Sequence, residues 1–336
     1  MKLISYTDQG NTTAALCYNE MVYDLKSLHP SLPAAMETFL QHWQQYYPIV
    51  MEAYRQLTEG KISMMQSKPA GGVTLLAPVP FPGSCRDGYA FRQHVAAARR
   101  NRAVPMIPEF DQYPVFYFTN HRSIMGPGPI ACMADHFKQL DFELEAAIVI
   151  CKQGRNIPAD EADAYIGGLM IMNDMSARTL QREEMLLNLG PAKGKDFATV
   201  TGPYLVTLDE LEPFVTACKE GHTGKAWDLK MKCFVNGVQV SEGNLADMDW
   251  TFAEIIERAS YGATLYPGDI IGSGTVGTGC FLEINGTKKL KDPDYTPQWL
   301  QEGDTIEMVI DELGLLHNTI VKENDYSILK NKKNVS

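Results

Sequence analysis

From residue 110 onward the chain is a succession of short runs rich in β-branched and aromatic residues, bounded by turn-forming residues: PVFYF, LEAAIVI, IGGLMIM, YLVTL, LKMKCFVNGVQV, DIIGSGTV, FLEING and TIEMVI. Runs of this length and composition predict strands, and Asn236-Gly237 between alternating apolar residues predicts a two-residue hairpin. Helix-type spacing is confined to about 89–101, 178–188 and 251–260. Strands and helices therefore do not alternate one for one. That excludes a doubly wound parallel sheet and predicts a β-rich α+β domain.

Ahead of this region, residues 1–27 divide into strand-like pieces, and 32–59 carry apolar residues at helical spacing, interrupted at Pro48. The stretch 66–84, QSKPAGGVTLLAPVPFPGS, holds four prolines and three glycines and reads as a connection with one short strand and a turn. The expected division is a small N-terminal domain over 1–70 and a main domain over 71–336.

A formal net charge of −11 over 336 residues repels nucleic acid and anionic membranes. Arg99, Arg100 and Arg102 form a compact basic run, a solvated helix end or a receptor for a substrate carboxylate. Seven cysteines show neither a CxxC knuckle nor a paired framework, which fits a reducing compartment. The start lacks the apolar core of a signal peptide and no run is long enough to span a membrane. A soluble, cytoplasmic protein is expected.

The stretch DGYAFRQHVAAA sets Asp87 and His94 seven residues apart, which on a helix puts both on one face. In LDFELEAAIVI, Glu143 and Glu145 share a strand face that turns apolar at Ala147 and Val149, while Phe142, Leu144, Ala146 and Ile148 make the other face apolar throughout. A strand buried on both sides with two carboxylates at one end is the floor of a pocket. With Asp87, and with Asp174 at the end of IGGLMIMN, the acids make an oxygen-only ligand set suited to Mg²⁺, Mn²⁺ or Ca²⁺. Arg178 and Gln181 are neighbours on the helix that follows. Glu283, between apolar neighbours in CFLEING, needs a partner such as an imidazole N–H.

Two glycine-rich stretches are decoys. GPAKGKDFATVTGP, with Lys193, Lys195 and Thr199, is one residue short of a phosphate loop and has Asp196 where a hydroxyl is required. GSGTVG spells a dinucleotide fingerprint with Gly272, Gly274 and Gly277, but the residues after it read as strand rather than helix.

Taken together and in order, RDGYAFRQHV, DFELE, NDMSAR followed by Gln181, GPAKGKDFATV, GSGT and LEI resemble the fumarylacetoacetate hydrolase family over about residues 75–320. The resemblance implies a mixed β-sandwich roll with a small N-terminal domain, a homodimer, and one divalent ion per site, Mg²⁺ or else Ca²⁺ or Mn²⁺. It assigns the ion to Asp87, Glu143, Glu145 and Asp174, with Lys195 and Thr199 completing its surroundings. His94 becomes the catalytic base, oriented by Glu283, and Lys195 and Arg178 stabilise developing charge. Tyr89, Arg102, Tyr117, Gln181 and Thr275 become substrate contacts.

The implied reaction is hydrolysis of a carbon–carbon bond in a diketo acid, with fumarylacetoacetate, from tyrosine breakdown, as the leading substrate. Acylpyruvate hydrolysis, oxaloacetate-type decarboxylation and isomerisation of a hydroxyhepta-diene-dioate are the alternatives within the family. A non-catalytic binding protein is the alternative outside it. Three departures fall on the pocket that reads the substrate's tail. Met185 replaces a tyrosine, Arg102 is displaced by one position, and the segment 275–283 is shortened.

Overall fold

The computed structural model describes residues 1–8, 10–62 and 67–333; Gln66, the first residue of the expected connection, lies outside them. The N-terminal part contributes β1 (Lys2–Asp8), β2 (Asn11–Tyr18), β3 (Met21–Asp24), α1 (Met36–Gln41) and α2 (Trp43–Thr58). Next come β4 (Cys85–Gly88), α3 (Arg92–Arg100), β5 (Phe116–Thr119), β6 (Gly128–Cys132), β7 (Leu144–Ile150) and β8 (Ile166–Asp174). They are followed by α4 (Arg178–Met185), β9 (Thr199–Thr207), β10 (Lys230–Val235), β11 (Val238–Asn244) and α5 (Phe252–Ser260). The chain closes with β12 (Ile270–Gly272), α6 (Phe281–Lys291), β13 (Thr305–Ile310) and β14 (Gly314–Lys322).

Two sheets carry the architecture among the described residues. The larger runs β3-β2-β1-β9-β8-β7-β12-β4-β5, and the smaller β11-β10-β13-β14-β6. Both are mixed: β4 pairs parallel with β12, and β6 parallel with β14. The β-rich α+β class and the sandwich are as the sequence predicts. Leu144, Ala146 and Ile148 from one face of β7 meet Met231, Met308, Leu316 and Ile320 of the smaller sheet. Ala147 and Val149 on the other face pack with Phe39, Leu40, Trp43 and Val50 of α1 and α2. Strand β7 is thus the middle of three layers, which is why its sequence is apolar on both faces. The first residues join the same large sheet, with Lys2 opposite Val206 and Leu3 opposite Leu205.

The hairpin at Asn236-Gly237 forms as expected, with φ of 52° and 74° at the two turn residues, the positive angles that a type I′ turn demands. The helix break expected at Pro48 falls instead at His42; Pro48 lies inside α2. The largest correction concerns residues 280–285. They begin α6 rather than a strand, because the Asp141 carboxylate accepts the N–H groups of Phe281 at 2.7 Å and Leu282 at 2.9 Å. A long-range contact therefore decides what local β-propensity alone would have decided otherwise. A helix does follow the glycines of GSGTVG, but a carboxylate of the chain already occupies its N-terminus, where a pyrophosphate would bind.

Candidate active site

Strand register gathers the acids. Asp87 on β4 stands opposite Tyr117 of β5 and Gly272 of β12, and Asp174 at the end of β8 stands opposite Thr199 at the start of β9. Glu145 is on β7 and Glu143 just before it. Oxygens of Asp87, Glu143, Glu145 and Asp174 lie within 4.8 Å of one another, and all four residues are buried. Close approach requires glycine on β12, since a Cβ on Gly272 would stand 2.6 Å from Asp87 Oδ1. Gly274, at φ +80°, donates its N–H to the same oxygen at 3.2 Å. Asp87 and His94 do not share a helix face as the spacing suggested. Asp87 belongs to a strand and His94 to α3.

The four carboxylates are not equivalent. Lys195 Nζ donates to Glu143 Oε2 at 2.5 Å and Asp174 Oδ2 at 2.6 Å. Arg178 Nη2 donates to Glu143 Oε1 at 2.7 Å. Burial would raise the Glu143 pKa, but Lys195 and Arg178 outweigh it and hold the group below the usual carboxylate range. Burial and the neighbouring Asp174 push Asp87 well up, and burial with Asp87 does the same to Glu145. Asp174 is raised by burial against the opposing pull of Lys195. Tyr117 donates its hydroxyl to Asp174 Oδ2 at 2.5 Å, and Thr275 donates to Glu145 Oε1 at 3.2 Å.

Glu145 Oε2 and Asp174 Oδ1 are buried with no hydrogen-bond partner. Two orphaned carboxylate oxygens among four clustered acids are what a cation would satisfy. The all-oxygen set fits a hard divalent ion. Lys195 enters this arrangement as a hydrogen-bond donor to two of the acids; an ammonium has no lone pair to offer a metal. Thr199 Oγ1 pairs with Thr119 Oγ1 at 3.1 Å beside it.

Next to the acids stands the imidazole. His94 Nδ1 lies 2.6 Å from Glu283 Oε2, both residues being buried, and Glu283 Oε1 accepts the N–H of Thr278 at 3.0 Å. Tyr89 sets its ring edge-on to His94 with centroids 6.0 Å apart. Gln181 accepts from Arg178 Nη1 at 3.0 Å, the neighbour relation expected from their spacing. Arg102 is exposed just beyond α3 and donates from Nε to the Ala98 carbonyl of that helix. Met185 is half exposed at the end of α4.

Asp141 is the residue that sequence reasoning missed. It is fully buried and receives Arg178 Nε at 2.8 Å besides the two N–H groups of α6. One carboxylate thus ties the arginine that anchors Glu143 to the helix that carries Glu283. A signal was present, because Asp141, Glu143 and Glu145 recur at a period of two in LDFELE. Asn173, whose Oδ1 accepts the Glu143 N–H at 3.0 Å, carried no such signal.

The Fumarylacetoacetate (FAA) hydrolase C-terminal family model matches residues 84–321. The rat (Rattus norvegicus) protein Oxaloacetate tautomerase Fahd2a, mitochondrial, is 30% identical over 307 residues, 89% of this chain and 84% of that protein. Fumarylacetoacetase of rice (Oryza sativa subsp. japonica) is 30% identical over 251 residues, 62% of this chain and 58% of that one. The solved structure of the fumarylacetoacetate hydrolase of Exiguobacterium antarcticum superimposes with a TM-score of 0.71 at 24% identity, over 96% of this chain and 100% of its own. Matched over most of its length and carrying the clustered acids in the matched region, the chain belongs to the fumarylacetoacetate hydrolase family.

Proposed function

We propose that the protein is a divalent-metal-dependent enzyme that moves a proton at the carbon beside the keto group of a 2-oxo acid, with keto–enol tautomerisation of oxaloacetate as its reaction. The observation that carries this reading is the buried His94–Glu283 pair at 2.6 Å, set beside the acid cluster through Glu143. Glu283 holds the proton on Nδ1, which leaves the Nε2 lone pair free to act as base. His94 takes a proton from carbon and returns it to the enolate oxygen, so one C–H bond breaks and one O–H bond forms with nothing consumed. An ion held by Asp87, Glu143, Glu145 and Asp174 supplies positive charge that favours the enolate.

The engaged cations favour tautomerisation over carbon–carbon cleavage. Arg178 spends Nε on Asp141, Nη1 on Gln181 and Nη2 on Glu143, and Lys195 bridges Glu143 and Asp174. Three of the five N–H groups of Arg178 and two of the three on Lys195 are thus committed to acceptors of the protein itself, and Arg102 donates to the Ala98 carbonyl. The rat relative named for oxaloacetate tautomerisation supports the same choice.

The test is decay of the enol absorbance of oxaloacetate with purified protein and Mg²⁺. Acceleration over buffer that is lost in His94→Asn is expected; no metal-dependent acceleration would overturn the reading. Hydrolysis of a diketo acid is the second reading, favoured because a His–Glu pair equally suits activation of water. Fumarate and acetoacetate formed from fumarylacetoacetate would promote it. The proposal includes a cytoplasmic homodimer, although the rat relative is named mitochondrial. Sedimentation at the monomer mass of 37.4 kDa would remove the dimer.

A further inference from the structure

Beside the hard-ion cluster lies a second set of donors with different chemistry. Ligand atoms of His94, Glu143 and Cys280 approach within 4.8 Å of one another, and all three residues are buried. Cys280 is fully buried and stands at the N-cap position of α6. Burial first, and then the nearby Asp141 carboxylate, push the Cys280 thiol well up, so its proton leaves only when a metal takes the sulfur. His94 gives its Nδ1 to Glu283, the carboxylate–imidazole arrangement that orients metal-ligating histidines and leaves Nε2 outward. Each Glu143 oxygen accepts one hydrogen bond, from Arg178 or Lys195, and a carboxylate oxygen retains a further lone pair.

We propose that His94 Nε2, Cys280 Sγ and a Glu143 oxygen form a second metal site, selective for a soft or borderline divalent ion such as Zn²⁺ and distinct from the oxygen-only site next to it. Nitrogen, sulfur and one carboxylate are a zinc-type donor set, with a fourth position left for water. Tetrahedral bonds of about 2.0–2.3 Å put ligand atoms roughly 3.5 Å apart. From separations within 4.8 Å, the side chains need close by no more than about 1 Å to hold the ion. Binding expels the Cys280 thiol proton to solvent and forms one metal–sulfur and one metal–nitrogen bond, with no change of oxidation state. Glu143 is common to both sites. The soft ion takes the same His94 nitrogen that the proposed reaction uses as base, so its binding is inhibitory; that consequence, unlike the site itself, rests on the proposed function.

Cobalt(II) reports the site without turnover. Added to Mg²⁺-saturated protein, Co²⁺ should give a sulfur-to-cobalt charge-transfer band in the near ultraviolet, absent from Cys280→Ala and from His94→Gln. Both variants should keep their thermal stabilisation by Mg²⁺, which shows that they fold. A wild-type spectrum without the band overturns the site, as does a band that survives Cys280→Ala and so arises from another cysteine. In the activity assay, Cys280→Ala should raise the Zn²⁺ concentration for half-inhibition by about tenfold or more. Presence of the band without any turnover would retain this site and refute the proposed reaction instead.

Discussion

Replacing Asp141 by Asn tests whether one buried carboxylate joins the two halves of the site. Four hydrogen bonds end on it: Arg178 Nε at 2.8 Å, Phe281 N at 2.7 Å, Leu282 N at 2.9 Å and Phe142 N at 3.0 Å. Phe281 and Phe142 reach Oδ1, and an asparagine oxygen placed there keeps both. The amide nitrogen then faces Arg178 Nε–H and the Leu282 N–H, so two donors lose their acceptor and meet another donor. A charged hydrogen bond contributes about 1.5–3 kcal/mol and a backbone one about 1 kcal/mol. Removing one partner of a buried pair costs about 3–5 kcal/mol in all. The assay is the shift in urea midpoint at constant m-value, paired with the rate of oxaloacetate tautomerisation. A loss of about 3–5 kcal/mol is expected, with a fall in rate because both Arg178 and the helix bearing Glu283 lose their tie. A loss below about 1 kcal/mol would refute the assignment. Adding Arg178→Met should cost less than the two single losses combined, since the pair acts as a unit.

Glu283→Gln keeps the shape of the His94 partner but not its charge, and should lower the rate by about 10²-fold or more while thermal stabilisation by Mg²⁺ is unchanged; a rate near wild type would dismiss the orienting role. Gly272→Ala places a Cβ 2.6 Å from Asp87 Oδ1, and calorimetric titration should show weakened Mg²⁺ binding. Asp87 and Glu145 are raised above their unfolded values in the ion-free protein, so the ion-free fold loses stability as pH rises through the folded values. An ion bound there would expel those protons, so the stabilising effect of Mg²⁺ in thermal melts should grow as pH rises; the opposite trend would contradict the shifts. His136 is held down to about 4 by burial first and then by Lys193. Its neutral form contributes stability that is complete above the unfolded value of about 6.5 and is lost as pH falls toward the folded one, up to about 3 kcal/mol. His136→Gln should flatten that stretch of the urea-midpoint profile, and an unaltered slope would exclude His136 as its source.

Much of the site was legible because each acid sits in a run with a period of its own. Glu143 and Glu145 head a strand whose two apolar faces reveal burial on both sides, and Asp174 closes the apolar run in LMIMND. Two things escaped. The sequence places Asp87 and His94 seven apart, yet whether a strand or a helix separates them depends on pairing of β4 with β12, nearly 200 residues away in the chain. Residues 280–285 have β-type composition and become helical because Asp141 takes their N–H groups. Local propensity carries no trace of a partner so distant in sequence. The acid row at period two shows Asp141 as an acid beside the site, but only the fold shows it as a cap.

The parallel pairing of β4 with β12 also bears on how the chain is made. Cys85 meets Ile270 and Asp87 meets Gly272, so β12 separates β4 from the rest of the large sheet and must arrive before the four acids can meet. On a ribosome all four clustered carboxylates, Asp87, Glu143, Glu145 and Asp174, emerge long before the strand that completes their sheet. Until then β7 has an unpaired edge, and the apolar face destined for the smaller sheet awaits β13 and β14. Unpaired edges and exposed apolar faces of this kind are what make incompletely folded chains prone to aggregate. An ion held by all four acids would need the finished register, and so would bind at the end of folding rather than at its beginning.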